Sequence, residues 1–324
     1  MRKRRREEKE PRKKKKHVLL RILLVLLIFV ISAGFAWYKI VGAVYTRLNY
    51  APIESVSQEK VKDGEVTNIL LIGNDSRSGG EDGRSDAMIL ISISESQKKI
   101  HMTSLLRDMY VEIPGYKDNR LNAAYSYGGP ELLLETIEEN LDIEVNRYVL
   151  VNFQAFAKLI DAVGGVELEV TKEEIEYINA YLVEYNMLEN RPVGTDYMEP
   201  SVSGVVRLNG PQALAFSRNR YIGNDFGRTQ RQRKILEAAM KQLPETVLKN
   251  PVELMDNILP NLTTNLTQKE LFGLSFDAPK VLSYELVQGS IPIEGSYQNA
   301  TIRGMSVLEV DWEANKAYIQ SEIY

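Results

Sequence analysis
The chain has 324 residues, 44% of them hydrophobic and 26% charged, enough to bury at least one sizeable core and too apolar for wholesale disorder. Its formal charge of −4 is uneven, because residues 1–21 hold twelve Lys and Arg against three Glu and leave the remainder at −13. So acidic a body argues against non-specific nucleic-acid binding, and the absence of cysteine excludes disulfides, thiolate zinc sites and a cysteine nucleophile.

The first predicted element is a membrane span over 18–38. Ile22 to Tyr38 is apolar, Val18, Leu19 and Leu20 extend the run past Arg21, and Trp37 and Tyr38 supply an interfacial aromatic belt. Basic clusters at Arg2 to Arg6 and Arg12 to Lys16 place residues 1–17 in the cytoplasm and send the body across the membrane. A cleaved signal peptide is the alternative, for which Gly34 to Ala36 offers a poor site. Residues 39–65 contain Pro52 and little periodicity, and read as a stalk before a domain expected over 66–324.

Beyond Val66, short apolar runs alternate with helical patterns. Asn68 to Ile72, Ala87 to Ile93 and Ile100 to Leu105 predict strands, and Glu131 to Leu141 a helix. Tyr148 to Val151 and Val166 to Val170 are further expected strands, separated by a helix from Phe153 that Gly164 and Gly165 stop. Helices are expected from about Gly210 to Phe216 and from about Asp225 to Leu243, then mixed helix and loop over 244–278, with strand and helix at the end. This alternation predicts an α/β fold, an α/β/α sandwich around a central mixed β-sheet.

Three clusters carry charge to chemically useful places. The segment from Gly73 to Asp86 leaves one expected strand and enters the next. If those strands pair as a hairpin, Asp75 and Asp86 project from neighbouring ends, a placement suited to one hard cation such as Mg²⁺, with Mn²⁺ the alternative ion, and Arg77 and Arg84 alternate with them. The plainer reading is a polar hairpin loop with surface ion pairs. A second cluster puts Arg107, Asp108 and Arg120 just past a strand, where α/β sheets place their sites, although Arg107 and Asp108 could simply pair with each other.

The third cluster, Ser217 to Arg220 followed by Asp225 to Leu236, is the most informative. Ile235, Leu236, Ala239, Met240 and Leu243 share one face of a helix, and extending that stripe toward the N-terminus lands on Arg228, Arg231 and Gln232. Unpaired charge on a core-facing stripe is costly, so an anion is expected to answer it, at a helix N-terminus already suited to anions. Arg218 and Arg220 precede the helix and can add bidentate phosphate contacts. An exposed basic face is the competing reading. Walker loop, HExxH and GxSxG motifs are absent, and the histidines are His17 and His101, so carboxylates are expected to carry any proton transfer.

In order, GNDSR and GRSDAMIL, SLLRD, NAAYSYGG, LIDAVGGVELEV, LNGPQALAFSRNR and DFGRTQRQ resemble the LytR-CpsA-Psr family over roughly residues 66–243, with weaker support to the C-terminus. The resemblance implies a membrane-anchored external phosphotransferase that moves a glycopolymer from a polyprenyl pyrophosphate carrier to peptidoglycan, building teichoic-acid or capsule linkages, with Mg²⁺. It also implies that the metal-associated carboxylates are Asp75 and Asp86, and that pyrophosphate contacts fall on Arg84, Arg107, Arg218, Arg220, Arg228 and Gln232; Arg77, Arg120 and Arg231, from the same three clusters, are expected to add to them. Asp75 is the first candidate for general base and Asp108 the second. Asn152 and Ala155 depart from the family pattern, which bears on local packing. A lipid-pyrophosphate hydrolase and a non-catalytic envelope sensor of the same lipid stay open as alternatives.

Overall fold
The apolar runs do form strands. A computed structural model describes residues 32–53, 62–63, 65–74, 85–249, 256 and 258–324. Most of the expected span, and the site candidates Asp75, Arg77 and Arg84, lie outside the described residues. In chain order, helix α1 covers 32–45, followed by β1 (Asn49–Tyr50), β2 (Lys62–Asp63), β3 (Val66–Asn74), β4 (Ser85–Ser94), β5 (Lys99–Leu105), β6 (Tyr110–Val111), β7 (Asn119–Arg120) and α2 (Leu121–Leu141). Next come β8 (Tyr148–Asn152), α3 (Phe153–Ala162), β9 (Val166–Val170), α4 (Lys172–Leu188), β10 (Gly204–Leu208), α5 (Gly210–Arg218) and α6 (Asp225–Lys249). The chain ends with β11 (Leu262–Thr264), a helix α7 (Gln268–Val281), β12 (Glu285–Ile291), a hairpin of β13 (Tyr297–Ile302) and β14 (Met305–Val310), and a helix α8 (Trp312–Glu322).

The main sheet runs β1-β11-β8-β3-β4-β5-β12, with β2 beside β3. It is mixed, since β8 and β12 lie parallel to β3 and β5 while β3, β4 and β5 are antiparallel neighbours. Strand period two sorts its side chains. Leu70, Ile72, Met88 and Leu90 join Leu133, Leu134 and Ile137 of α2 and Ile319 of α8 in one core. Leu71, Gly73, Ala87 and Ile89 face the other way, into a cavity under α3, α5 and α6. A second core joins Ile160 of α3, Phe216 of α5 and Ile235 of α6 to Val166 of β9 and Ile175 of α4. Helices therefore cover both faces of a mixed sheet, as the alternation implied.

Close approach of α3 and α5 is set by one residue. A Cβ on Gly210 would sit 2.1 Å from the Ala157 carbonyl oxygen, and Gly210 N–H donates to Asp161 Oδ1 at 2.6 Å. The start of α5 is completed by a capping box between Asn209 and Gln212. Asn152 and Ala155, where the family pattern is broken, fit without strain: Asn152 caps α3 by accepting from Ala155 N–H at 2.8 Å, and Ala155 is fully buried.

Three expectations need correction. Residues 39–53 are not a free stalk, because α1 runs to residue 45, Trp37 Nε1 donates to Ser275 Oγ at 3.1 Å, Tyr38 meets Phe272 edge-on, and β1 pairs with β11. The helix expected from Glu131 starts ten residues earlier, at Leu121, and is kinked where Gly128 and Gly129 leave helical geometry before Pro130. Helix α4 was not anticipated, although Thr171 and Glu174 form a capping box ahead of Ile175, Ile178 and Leu182 at helical spacing. No helix among the described residues is long and apolar enough to cross a membrane.

Candidate active site
Between the sheet and helices α3 to α6 lies a cavity of about 780 Å³ with two unlike ends. Apolar walls come from Leu71 and Ile89 of the sheet, Phe156 and Ile160 of α3, and Leu214 and Leu236 of the later helices. The charged end holds Asp86, Arg107, Arg218, Arg220, Arg228 and Gln232. Gly73 and Ala87 pair across β3 and β4 at this end, and their small size leaves room beside the charges.

Each charged side chain is delivered by an element end. Strands β3 and β4 do pair as a hairpin, with Asn74 opposite Ser85, so Asp86 stands one residue inside the mouth of the loop. Arg107 follows β5 and donates through Nη1 to Asp86 Oδ1 at 2.8 Å, while Arg220, beyond α5, donates to Asp86 Oδ2 at 3.2 Å. Arg107 Nε also lies 3.5 Å from both Asp108 Oδ2 and Asp225 Oδ2. Burial works against the Arg107 cation, but Asp108, Asp86 and Asp225 outweigh it and push its pKa up.

The helix phase anticipated an inward face on α6, and Arg228 occupies it at 2% exposure. Its Nη1 is 3.5 Å from Asp225 Oδ1, yet Nε and Nη1 lack hydrogen-bond partners. Burial, reinforced by the like charges of Arg107 and Arg220 and opposed by Asp225, lowers the Arg228 pKa to about 10. Gln232, one turn on, also lines the cavity, and its Oε1 is without a hydrogen bond. Such orphaned donors on a buried guanidinium are costly alone and become favourable when an anion enters.

Arg218 is held differently. Its guanidinium carbon lies 4.2 Å from the Phe153 ring centroid and 5.4 Å from that of Tyr181, so two aromatic side chains steady the cation at the cavity wall. Sequence reasoning passed over this aromatic wall, because α4, which brings Tyr177, Tyr181 and Glu184 to the cavity at helical spacing, was itself unread.

Two expected pyrophosphate ligands do not line this cavity. Arg231 is buried as its phase required, but it donates to the carbonyls of Asn219 at 2.7 Å and Ile222 at 2.8 Å and approaches Glu174 at 3.4 Å. It thus ties the loop after α5 to α4 and α6. Arg120 lies outside the cavity lining and meets Asp108 at 3.5 Å. Arg233, unremarked in the sequence, is buried too and donates to Ser104 Oγ at 2.6 Å.

Asp225, at the start of α6, stands between Arg107 and Arg228. Burial pushes its carboxyl up, but Arg228, a hydrogen bond with Asp108 and Arg107 together hold it below the usual carboxylate range. Asp108 goes the other way, raised by burial and by the hydrogen bond with Asp225. The hydrogen bond joins the two titrations, so Asp225 stays ionised more readily while Asp108 holds a proton more readily. Among the described residues no group of three or more His, Cys, Asp or Glu could hold a metal ion.

A cavity with cationic head and apolar walls suits an amphiphile whose head is a phosphate. Residues 40–321 match the LytR_cpsA_psr family. The chain is 32% identical over 259 residues to the "Polyisoprenyl-teichoic acid--peptidoglycan teichoic acid transferase TagU" of Bacillus cereus, covering 76% of this chain and 78% of that one. It is also 32% identical over 265 residues to "Biofilm regulatory protein A" of Streptococcus mutans, covering 75% of this chain but only 62% of that relative's length. Among solved structures, "LytR-CPS2A-psr family protein YwtF (TagT) with bound octaprenyl pyrophosphate lipid" superposes with a TM-score of 0.60 at 25% identity, over 85% of this chain and 99% of that one. Fold, cavity and sequence agree, and the chain belongs to the LytR_cpsA_psr family.

Proposed function
We propose that the chain transfers a glycopolymer, such as wall teichoic acid or capsule, from a polyprenyl pyrophosphate carrier to peptidoglycan. The observation that carries this reading is Arg228, a buried cation with unanswered donors at the head of an apolar cavity. The names of the relatives support it, one being a teichoic acid transferase and another holding octaprenyl pyrophosphate. In this reading Arg107, Arg218, Arg220 and Arg228 take the two phosphates, and the apolar walls take the isoprenoid at about 0.8 kcal/mol per buried CH₂. A glycan hydroxyl attacks the phosphorus nearer the donor glycan, a new O–P bond forms, and the bond to the bridging oxygen breaks with its electron pair leaving on polyprenyl phosphate. The hydroxyl proton passes to a carboxylate, Asp75 first and Asp108 second among the candidates. Catalysis of this kind rests on positioning and charge neutralisation, which fixed guanidiniums supply.

The oxygen chemistry of Asp86 fits Mg²⁺ or Mn²⁺, with Asp75 as the expected partner ligand, and both its oxygens already face cations in Arg107 and Arg220. A divalent ion there would neutralise pyrophosphate charge. Residues 18–38 would anchor the domain outside the membrane with the basic tail in the cytoplasm.

The test is product analysis. Purified protein incubated with a defined lipid-linked saccharide, peptidoglycan fragments and Mg²⁺ is expected to yield glycan joined to peptidoglycan through a phosphodiester, read by mass spectrometry. Free glycan phosphate would identify a hydrolase, and binding without turnover a sensor.

A further inference from the structure
On the transfer reading the cavity takes lipid and pyrophosphate, and a glycan polymer attached to them reaches beyond its lining. Outside that lining, Tyr116 and Tyr127 stack with ring centroids 4.9 Å apart and planes 19° from parallel. They are 54% and 43% exposed, so the stacked pair stands in solvent.

The mount of this pair is rigid. Asn119 Nδ2 donates to Tyr127 Oη at 2.6 Å, and Asn119 Oδ1 accepts the Arg120 backbone N–H at 2.8 Å. Tyr116 N–H closes a turn on the Ile113 carbonyl at 2.9 Å, and Arg303 Nη1 reaches across from the β13–β14 turn to the Asp118 carbonyl at 3.2 Å. A relay of ion pairs links this loop to the cavity. Arg120 meets Asp108, Asp108 meets Arg107, and Arg107 lines the charged head. Arg120 Nε is buried and without a hydrogen bond.

A pyranose presents a face of polarised C–H groups, which suits the negative face of an aromatic ring, and a rim of hydroxyls that need polar partners. Lys117, Asp118 and Arg303 are exposed around the tyrosines and supply such partners. We infer that Tyr116 and Tyr127 form a saccharide platform that holds a glycan next to the pyrophosphate head. The inference rests on the transfer reading above. A peptidoglycan acceptor and the donor polymer share this chemistry, and the experiment separates them.

Full-length protein and its Tyr116→Ala/Tyr127→Ala variant are compared in two ways. Calorimetric titration uses a muramyl disaccharide-peptide and, separately, the lipid-free donor saccharide; turnover uses lipid-linked saccharide and peptidoglycan fragments. The variant is expected to bind one saccharide about tenfold more weakly and to raise KM for that substrate alike, with kcat nearly unchanged. A loss confined to the muramyl fragment assigns the acceptor, and one confined to the donor saccharide assigns the donor. Tyr127→Phe, which keeps the ring and drops the Asn119 bond, is expected to retain most of the affinity and guards against misfolding. Equal titrations for both saccharides in wild type and variant would overturn the platform, whether or not turnover occurs. Wild type that binds saccharide but transfers none would count against the transfer reading alone.

Discussion
Arg228 Nη1 stands 3.5 Å from Asp225 Oδ1, three residues back on the same helix, and this partial pairing leaves the most buried guanidinium of the cavity short of hydrogen bonds. The arrangement is poor for an empty protein and good for a loaded one. Arg228→Met is therefore expected to leave the unliganded protein about as stable as wild type, because the desolvation of the guanidinium is relieved and Asp225 keeps Arg107 at 3.5 Å. The same variant is expected to lose most of the thermal stabilisation that polyprenyl pyrophosphate confers, which differential scanning calorimetry with and without the lipid would read. Equal stabilisation in both proteins would remove Arg228 from the anion site.

Arg231 should behave in the opposite sense. Its Nη2 donates to the Asn219 and Ile222 carbonyls and its Nη1 meets Glu174, all inside the fold, with Nε alone among its nitrogens left without a partner. Arg231→Met strands Glu174, and losing one partner of a buried pair costs about 3–5 kcal/mol. Urea unfolding is expected to show that loss, while KM for lipid-linked substrate in the surviving folded fraction stays near wild type. A variant of normal stability and raised KM would return Arg231 to the list of phosphate ligands.

Arg218 depends on its aromatic neighbours. Replacing Phe153 by Leu keeps an apolar wall but removes the ring 4.2 Å from the guanidinium. A cation–π contact of about 0.5–2 kcal/mol corresponds to a KM rise of about two- to thirtyfold, with kcat less affected. Steady-state kinetics on Phe153→Leu and Phe153→Tyr separates loss of the ring from loss of volume, since Tyr should retain activity.

The paired carboxylates make the stability pH-dependent in two opposed ways. Asp225 lies below its ordinary value, so its contribution is present above the ordinary carboxylate pKa and is lost as pH falls through the depressed value. Asp108 lies above its ordinary value, so its contribution is present at low pH and is lost as pH rises through the raised value. Asp225→Asn is expected to lower stability at neutral pH and flatten the acid limb, whereas Asp108→Asn should leave neutral stability equal or higher. Denaturant midpoints taken from about pH 3 to pH 7 would check both signs.

Much of this was legible in the chain. The strands of β3, β4, β5, β8 and β9 could be read from short β-branched and aliphatic runs, and the phase of α6 put Arg228 and Gln232 on the buried face before any fold was known. Helix α4 was passed over because its apolar residues are diluted by glutamates and tyrosines, some of which turn out to line the cavity.

Local sequence determined element type, the inward phase of α6 and the kind of ligand its charges call for, because helix and strand periods are properties of adjacent residues. Only the tertiary structure decided which arginines are ligands and which are ties. Arg228 and Arg231 are three residues apart with the same phase and the same chemistry, yet one meets a cavity and the other meets Glu174 and two carbonyls. That difference depends on what α4 and the loop after α5 bring to each guanidinium, and those contacts cross 57 residues of chain in the case of Glu174. The desolvation that makes a buried charge either costly or useful arises only when such distant segments close around it.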